Sequence, residues 1–324
     1  MAIPKSIAVL TAGGDAPGMN AAVRAVVRTG LALGLRVHGV TRAYEGLTRG
    51  EIRELGARDV GGIIQRGGTM LQTARFPEFA NVEIQREALA RLRSHGVDAL
   101  VAIGGDGTMR GAAALQALGF PVIGIPASID NDVYGTDMAI GVDTALNTIL
   151  DAIDKLRDTA SSHQRAFIVE TMGRNCGHLA LMSGIIAGAE MTLIPEQEAS
   201  AEEVADAVRG AYARGKTHAI VVVAEGARLA ANALKEKLDA MRLGIELRVT
   251  ILGHVQRGGS PSAWDRLIAA RFGVIAVERL LKGESGVMVG LRAREIVGTR
   301  LEEVSTRKRE ADLEYYRMAR MLAK

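Results

Sequence analysis

Residues 101–132 read VAIGGDGTMRGAAALQALGFPVIGIPASIDND, and the rest of the chain can be ordered around this stretch. Residues 98–103 form a short apolar run ending in Gly104-Gly105-Asp106-Gly107-Thr108. A small-residue helical segment follows to about residue 118, and a second apolar run at 120–125 closes at Pro126. Two short strands around a helix make a parallel pair, and ligands on such sheets gather at the carboxyl ends of the strands. The unit therefore delivers two acidic turns to one edge: Asp106 after the first strand, Asp130 and Asp132 after the second. Glycines flanking an acid suit phosphate and a metal ion. Hydrogen-bonding side chains beside carboxylates suit a base.

Working outward, residues 6–11 (SIAVLT) predict a strand, followed by Gly13-Gly14-Asp15-Ala16-Pro17-Gly18-Met19-Asn20 and an apolar helical pattern to about residue 33. Pro17 suits a first helical turn. A glycine turn between strand and helix offers N–H groups and the positive end of the helix dipole to an anion. The G-x-G-x-x-G spacing is absent, so a dinucleotide fingerprint is not indicated. Arg24 and Arg28 lie one turn apart on that helix and point the same way. After a strand at 37–40, residues 44–80 are glycine-rich and aperiodic, the mark of a functional loop. Arg75 within it is a candidate phosphate ligand, and a helix at 82–94 leads back to the opening unit.

Past Asp132 the same rhythm continues. Helices are expected at 142–160, 176–188, 201–214, 230–241 and 261–281. Strands are expected at 166–170, 192–194, 218–224, 246–252 and 287–290, and the last twenty residues read as one charged amphipathic helix. The turns after these strands carry Met172-Gly173-Arg174, Glu225-Gly226 and Gly253-His254-Val255-Gln256-Arg257-Gly258-Gly259. Alternation of this kind predicts an α/β fold with mainly parallel sheets, and 324 residues suffice for two domains.

Several function classes drop out. No run reaches the ~18 apolar residues of a membrane helix, and the N-terminus lacks an export pattern, so a cytoplasmic protein is expected. A single cysteine excludes an intrachain disulfide framework. A formal charge of +3 with few aromatics argues against nucleic acid. The six histidines are scattered; Cys176 and His178, two apart, are expected on different faces of a helix, which disfavours zinc. A G-x-S-x-G elbow is missing. Residues 210–217, GAYARGKT, match a phosphate-loop pattern literally. A true phosphate loop follows a strand and opens a helix, whereas here a helix precedes and a strand follows. Gly215 then reads as a helix terminator, with Arg214 and Lys216 at the helix's negative end.

Taken together, the segments 13–20, Arg75-Phe76, 104–108, Ser128-Ile129-Asp130-Asn131-Asp132, Met172-Gly173-Arg174 and 253–261 resemble the bacterial ATP-dependent 6-phosphofructokinases, in order and spacing, from about residue 6 to residue 290. The resemblance implies two three-layer α/β/α domains: 1–141 plus 256–304 for ATP, and 142–255 plus 305–324 for the sugar phosphate. It implies transfer of the ATP γ-phosphoryl group to the 1-hydroxyl of fructose 6-phosphate. By motif, Gly14, Arg75, Phe76, Gly105, Asp106, Gly107 and Thr108 would contact ATP, with Asp106 holding Mg²⁺. Asp130 would accept the proton, with Asp132, Ser128, Arg75 and Arg174 completing the catalytic group. Ser128, Ile129, Asp130, Arg165, Met172, Gly173, Arg174, Glu225, Arg248, His254, Val255, Gln256 and Arg257 would bind the sugar phosphate. Charge-assisted bonds of this kind contribute roughly 1.5–3 kcal/mol each.

The resemblance also implies a homotetramer whose active sites and effector sites are shared between subunits, with Arg165 and Arg248 reaching in from a neighbour. ADP or phosphoenolpyruvate would bind at Arg24, Arg28, Arg157, Gly188, Ala189, Glu190, Arg214, Lys216, Thr217 and His218. The chain departs from the family in three places: Ser128 replaces a usual threonine, Ala127 a usual glycine, and the loop 55–62 carries its arginine at Arg58 and Gly62 in place of an acid. One alternative is the pyrophosphate-dependent branch, which has an acid where Gly107 stands and lysine where Ala127 stands. Another is a catalytically silent sugar-phosphate sensor, opposed by the joint presence of Asp106, Asp130, Arg75 and Arg174.

Overall fold

The structure, a computed structural model, describes residues 3–323. In chain order the elements are β1 (Ser6–Ala12), α1 (Met19–Ala32), β2 (Arg36–Val40), α2 (Ala43–Arg49), β3 (Ile52–Glu54), α3 (Val82–Ser94), β4 (Ala99–Gly104), α4 (Asp106–Ala117), β5 (Val122–Pro126), α5 (Val142–His163) and β6 (Ala166–Thr171). They continue with α6 (His178–Ile186), β7 (Met191–Leu193), α7 (Ala201–Ala213), β8 (Ala219–Ala224), α8 (Ala231–Ala240), β9 (Leu247–Ile251), α9 (Ala263–Leu281), β10 (Val287–Arg292), β11 (Glu295–Arg300), α10 (Leu301–Thr306) and α11 (Leu313–Leu322).

The chain divides into two compact units: 1–128, 133–144 and 257–308 form the first, and 129–132, 145–256 and 309–324 the second. Among the described residues the first unit holds a seven-stranded sheet, ordered β11-β10-β5-β4-β1-β2-β3, with antiparallel pairs only at its two edges. Ala8, Leu10, Leu100 and Ala102 point to one face, where α2, α3, α4 and α10 bury Leu47, Leu89, Met109 and Leu301 against them. Ile7 faces the other way, toward α1, which packs on α9. Strands covered on both faces read as the continuous apolar runs seen in the sequence. Strand order reverses direction between β1 and β4, which pair in register from Ile7–Ala99 to Ala12–Gly104. Such a switch point opens a crevice at the carboxyl ends of the strands.

The second unit carries a parallel four-stranded sheet, β7-β8-β6-β9. Ile168, Val221 and Val223 bury one face under α7 and α8, whose apolar positions include Val204, Val208, Leu234 and Leu238. The other face is covered by α6, with α11 packed on it. The capping box Ser200–Glu203 starts α7 by satisfying two otherwise orphaned N–H groups.

Several expected elements are corrected. Residues 44–80 are not wholly irregular: α2 and β3 lie there, too short for a period to show. Strand β11 was not expected; the turn into it is Ala293-Arg294, both at positive φ (46° and 78°). Such hairpin turns usually announce themselves with Asn-Gly or Asp-Gly, and Ala-Arg does not. The single C-terminal helix is instead α10 and α11, separated by 307–312. Lys308 makes a bridge to Val133, and Asp312 caps α11 through Glu314 N–H (2.9 Å). The predicted 176–188 helix begins only at His178, so Cys176 lies off it and the reasoning from helix faces does not apply. Elsewhere the boundaries moved by a few residues, the largest shift extending α5 from 160 to 163.

Candidate active site

In the first unit, the register of β1 and β4 sets the turn at Gly13-Gly14 beside the turn at Gly105–Gly107. Gly105 caps α4 and Asp106 begins it, so the acid stands at the positive end of the helix. Its carboxylate pairs with Arg110 one turn on, and its side chain is 25% exposed. Thr108 is buried and its Oγ1 has no hydrogen-bond partner among the described residues. A Cβ on Gly13 would lie 3.5 Å from that hydroxyl. An unmatched hydroxyl between two glycine turns is a donor waiting for an acceptor.

A cavity of about 510 Å³ opens beside these turns, lined by Ala12, Gly13, Tyr44, Arg75, Phe76, Phe79, Gly107, Thr108, Arg110 and Gly111, among others. Tyr44 and Phe79 stack with ring centroids 4.2 Å apart. Burial drives the Tyr44 phenol far above its ordinary range, and its hydroxyl donates to the Thr108 carbonyl at 2.7 Å. A Cβ on Gly111 would lie 2.6 Å from the Tyr44 ring, so only glycine lets the ring approach α4. An apolar, aromatic cavity ending in glycine turns and arginines fits a base with its phosphates. Of the residues expected to contact ATP, Arg75, Phe76, Gly107 and Thr108 line it. Tyr44, Phe79, Arg110 and Gly111 were not anticipated. The two aromatics Phe76 and Phe79, three residues apart, were the available signal, but nothing local brings Tyr44 to them. Arg257, expected at the sugar phosphate, belongs to this unit, where its Nη1 donates to the Asp15 carbonyl at 3.2 Å. Ser128 lies here too, near Gly105.

In the second unit, Asp130 is 3% exposed. Arg174 Nε stands 3.5 Å from its Oδ2, and the Arg174 side chain is 53% exposed. Arg174 follows β6 in a turn with Gly173 at φ 142° and Arg174 itself at φ 51°. The left-handed region costs a non-glycine residue about 1–2 kcal/mol, so the turn must be held from outside. Glu225, just after β8, accepts from Gly173 N–H at 3.2 Å and Arg174 N–H at 2.8 Å. Strands β6 and β8 place it there through the pairing Thr171–Ala224. Met172 N–H donates to buried Gln256 at 3.2 Å. His254 and Val255 are exposed on the same 3₁₀ turn. Arg165 (2.5 Å) and Arg248 share the carboxylate of Glu246, which they hold below its usual range, Arg165 more strongly.

Cys176 is buried, and burial, aided by the charges of Glu196 and Asp132, pushes its thiol up to about 12. It is no nucleophile. Burial, and secondarily Arg309, brings His178 down to about 4; its Nε2 has no partner among the described residues.

The expected effector residues fall in both units. In the second, Glu190 is buried, pairs with Lys216 at 2.7 Å and accepts from Ile220 N–H at 2.6 Å. Arg157 reaches the Ala187 carbonyl and lies 3.3 Å from His218, whose pKa is lowered by burial and then by Arg157. Arg214 donates to the Ala323 carbonyl at 3.2 Å. Gly188, Ala189 and Thr217 belong to the same stretches. Arg24 and Arg28 are in the first unit, where Arg28 reaches the Ala57 carbonyl of the 55–62 loop at 3.4 Å and Arg58 is exposed.

Comparison with known proteins identifies this combination of sheets and turns. The Phosphofructokinase family matches residues 6–280, and the chain belongs to that family. It is 50% identical to the ATP-dependent 6-phosphofructokinase of Listeria welshimeri over 319 residues, 98% of this chain and 99% of that one. It is 52% identical to the enzyme of the same description from Streptococcus suis over 293 residues, 90% and 87% of the two chains. Among solved structures, the phosphofructokinase of Saccharomyces cerevisiae superposes with a TM-score of 0.87 at 40% identity, covering 93% of this chain and 45% of the yeast one. A pyrophosphate-dependent phosphofructokinase from Marinobacter aquaeolei shares the fold alone, with a TM-score of 0.85 at 21% identity.

Proposed function

We propose the following reading of how this chain works. It is an ATP-dependent 6-phosphofructokinase of glycolysis, a phosphotransferase that moves the γ-phosphoryl group of ATP to the 1-hydroxyl of fructose 6-phosphate. The observation that carries the chemistry is Asp130, a buried carboxylate facing Arg174. Asp130 takes the proton of the sugar hydroxyl, with Asp132 beside it. Phosphoryl transfer needs positioning and neutralisation more than covalent chemistry. Arg174 and Arg75 would supply positive charge to the transferring group, and the N–H groups of the Gly13-Gly14 and Gly105–Gly107 turns would hold the other phosphates. Ser128 would keep the hydroxyl its usual threonine provides.

In this reading 1–141 plus 256–304 bind ATP and 142–255 plus 305–324 bind the sugar phosphate. Arg165, Met172, Glu225, Arg248, His254 and Arg257 are its ligands. Mg²⁺ fits Asp106: the carboxylate is within solvent reach, and among the described residues its ion pair is with a solvent-exposed arginine one turn on. A cluster of three potential ligands is absent among the described residues, and Mg²⁺ ordinarily binds through one or two carboxylates plus substrate phosphates. When bound it neutralises phosphate charge. Small residues at Gly107 and Ala127 leave room for a nucleotide and favour ATP over pyrophosphate. The protein is read as a cytoplasmic homotetramer regulated by ADP or phosphoenolpyruvate; among the described residues no helix is long and apolar enough to cross a membrane. A coupled assay on fructose 6-phosphate decides the donor. Turnover with ATP and Mg²⁺ and none with pyrophosphate is expected; the reverse result, or none with either, overturns the reading.

A further inference from the structure

The turn carrying Arg174 is held at one end by Glu225, which the sugar site already uses. Its other end is Gly177, and there the backbone N–H is held by a carboxylate that no part of the proposed chemistry employs. Glu196 accepts from Gly177 N–H with both oxygens, at 2.9 Å and 3.1 Å. A Cβ on Gly177 would lie 2.6 Å from Glu196 Oε2 and 2.5 Å from Ile194 Cβ, so glycine is what admits this approach. Glu196 is itself placed by the short return after β7, where Ile194 bridges Gln197.

The same carboxylate makes a third bond. Ala311 N–H donates to Glu196 Oε1 at 2.7 Å. Two residues earlier in that segment, Arg309 N–H donates to the carbonyl of Asp132 at 3.2 Å. One side chain therefore joins the turn that carries Arg174 to the segment that holds the Asp130–Asp132 loop, all within the second unit. Arg174 has to keep an unfavourable backbone conformation while its guanidinium stays against Asp130, and both segments meet at Glu196. We propose that Glu196 is a positioning residue for phosphoryl transfer, setting Arg174 relative to Asp130 without touching either substrate. The proposal rests on the assignment of Asp130 and Arg174 above.

Steady-state kinetics with ATP and fructose 6-phosphate on E196A, R174A and the double variant test it. Misplacing a catalytic group by a fraction of an ångström to an ångström lowers kcat by about 10–10²-fold, and that is the loss expected in E196A, with the KM for ATP little changed. E196Q, which keeps one oxygen for Gly177 and Ala311, recovers most of the turnover. Because Glu196 sets Arg174 relative to Asp130, most of the E196A loss disappears once Arg174 is alanine. An unchanged kcat in E196A, or the same loss with and without Arg174, overturns the proposal. D130S, run in parallel, separates the two readings. Near-normal turnover in D130S removes the assignment beneath the proposal, whereas an inactive D130S beside a fully active E196A removes Glu196 alone. Should E196A not fold, E196Q carries the same cycle: a smaller loss that disappears in the R174A background supports the role, and one that persists overturns it.

Discussion

Asp130 is 3% exposed beside Arg174, and removing a base from so enclosed a place should be felt in turnover before binding. In Asp130→Ser we expect kcat to fall by at least ~10²-fold, the lower end of general-base effects, with a modest change in KM; steady-state kinetics check this. Gly107 offers a second residue-scale test. A Cβ there would meet only Arg110 Nη2, at 3.7 Å, so a side chain fits the fold. Gly107→Asp should leave the melting temperature in place yet raise the KM for ATP about tenfold or more, equivalent to ~1.4 kcal/mol of repulsion. An unchanged KM would mean that the size and charge of this position do not select the phosphoryl donor. Both residues were legible in the sequence because short turns between strands carry their chemistry locally. Tyr44 was not: its place against Phe79 and Thr108 depends on α2 folding over the end of α4, across 64 residues of chain.

At the scale of elements, α6 begins with a histidine at the wrong end of a helix. Burial first and then Arg309 oppose an imidazolium at His178, and the positive N-terminus of α6 acts in the same sense. The folded pKa is near 4 and the ordinary one 6.5, so between those values the unfolded chain binds more protons. His178 therefore leaves stability intact above about pH 6.5 and subtracts from it as the pH falls toward 4, by up to roughly 3 kcal/mol. Urea unfolding of the wild type and His178→Gln across this range should show the wild type losing stability more steeply; parallel curves would refute a histidine held neutral in the folded chain. The elements that escaped prediction share a cause. Turn Ala293-Arg294 holds two positive φ angles without glycine, and α2 has too few residues to show a period. The exposed turn is held by hydrogen bonds from distant residues, Ala293 N–H donating to Asp137 at 2.8 Å and Arg271 to the Arg294 carbonyl at 3.3 Å, and α2 by what packs on it, not by local preference.

For the molecule as a whole, the resemblance brings Arg165 and Arg248 into a neighbour's sugar site. Both now rest on Glu246, at the end of the four-stranded sheet where β9 is the edge. We expect sedimentation equilibrium to give four times the 34.3 kDa chain. Mixing Asp130→Ser with Arg248→Ala, each feebly active alone, should restore turnover through mixed assemblies that contain sites with neither change. Failure to complement would place each site within one chain. The sequence by itself determined the α/β class, the glycine turns at the ends of strands, the acids within them and the phosphofructokinase resemblance. These are encoded in short stretches by apolar period and turn chemistry. Tertiary structure alone decided which distant segments meet outside those motifs: Tyr44 with Phe79, and Glu196 with Gly177 and Ala311. Those pairings depend on strand order and register in two sheets, and no local preference along the chain specifies them.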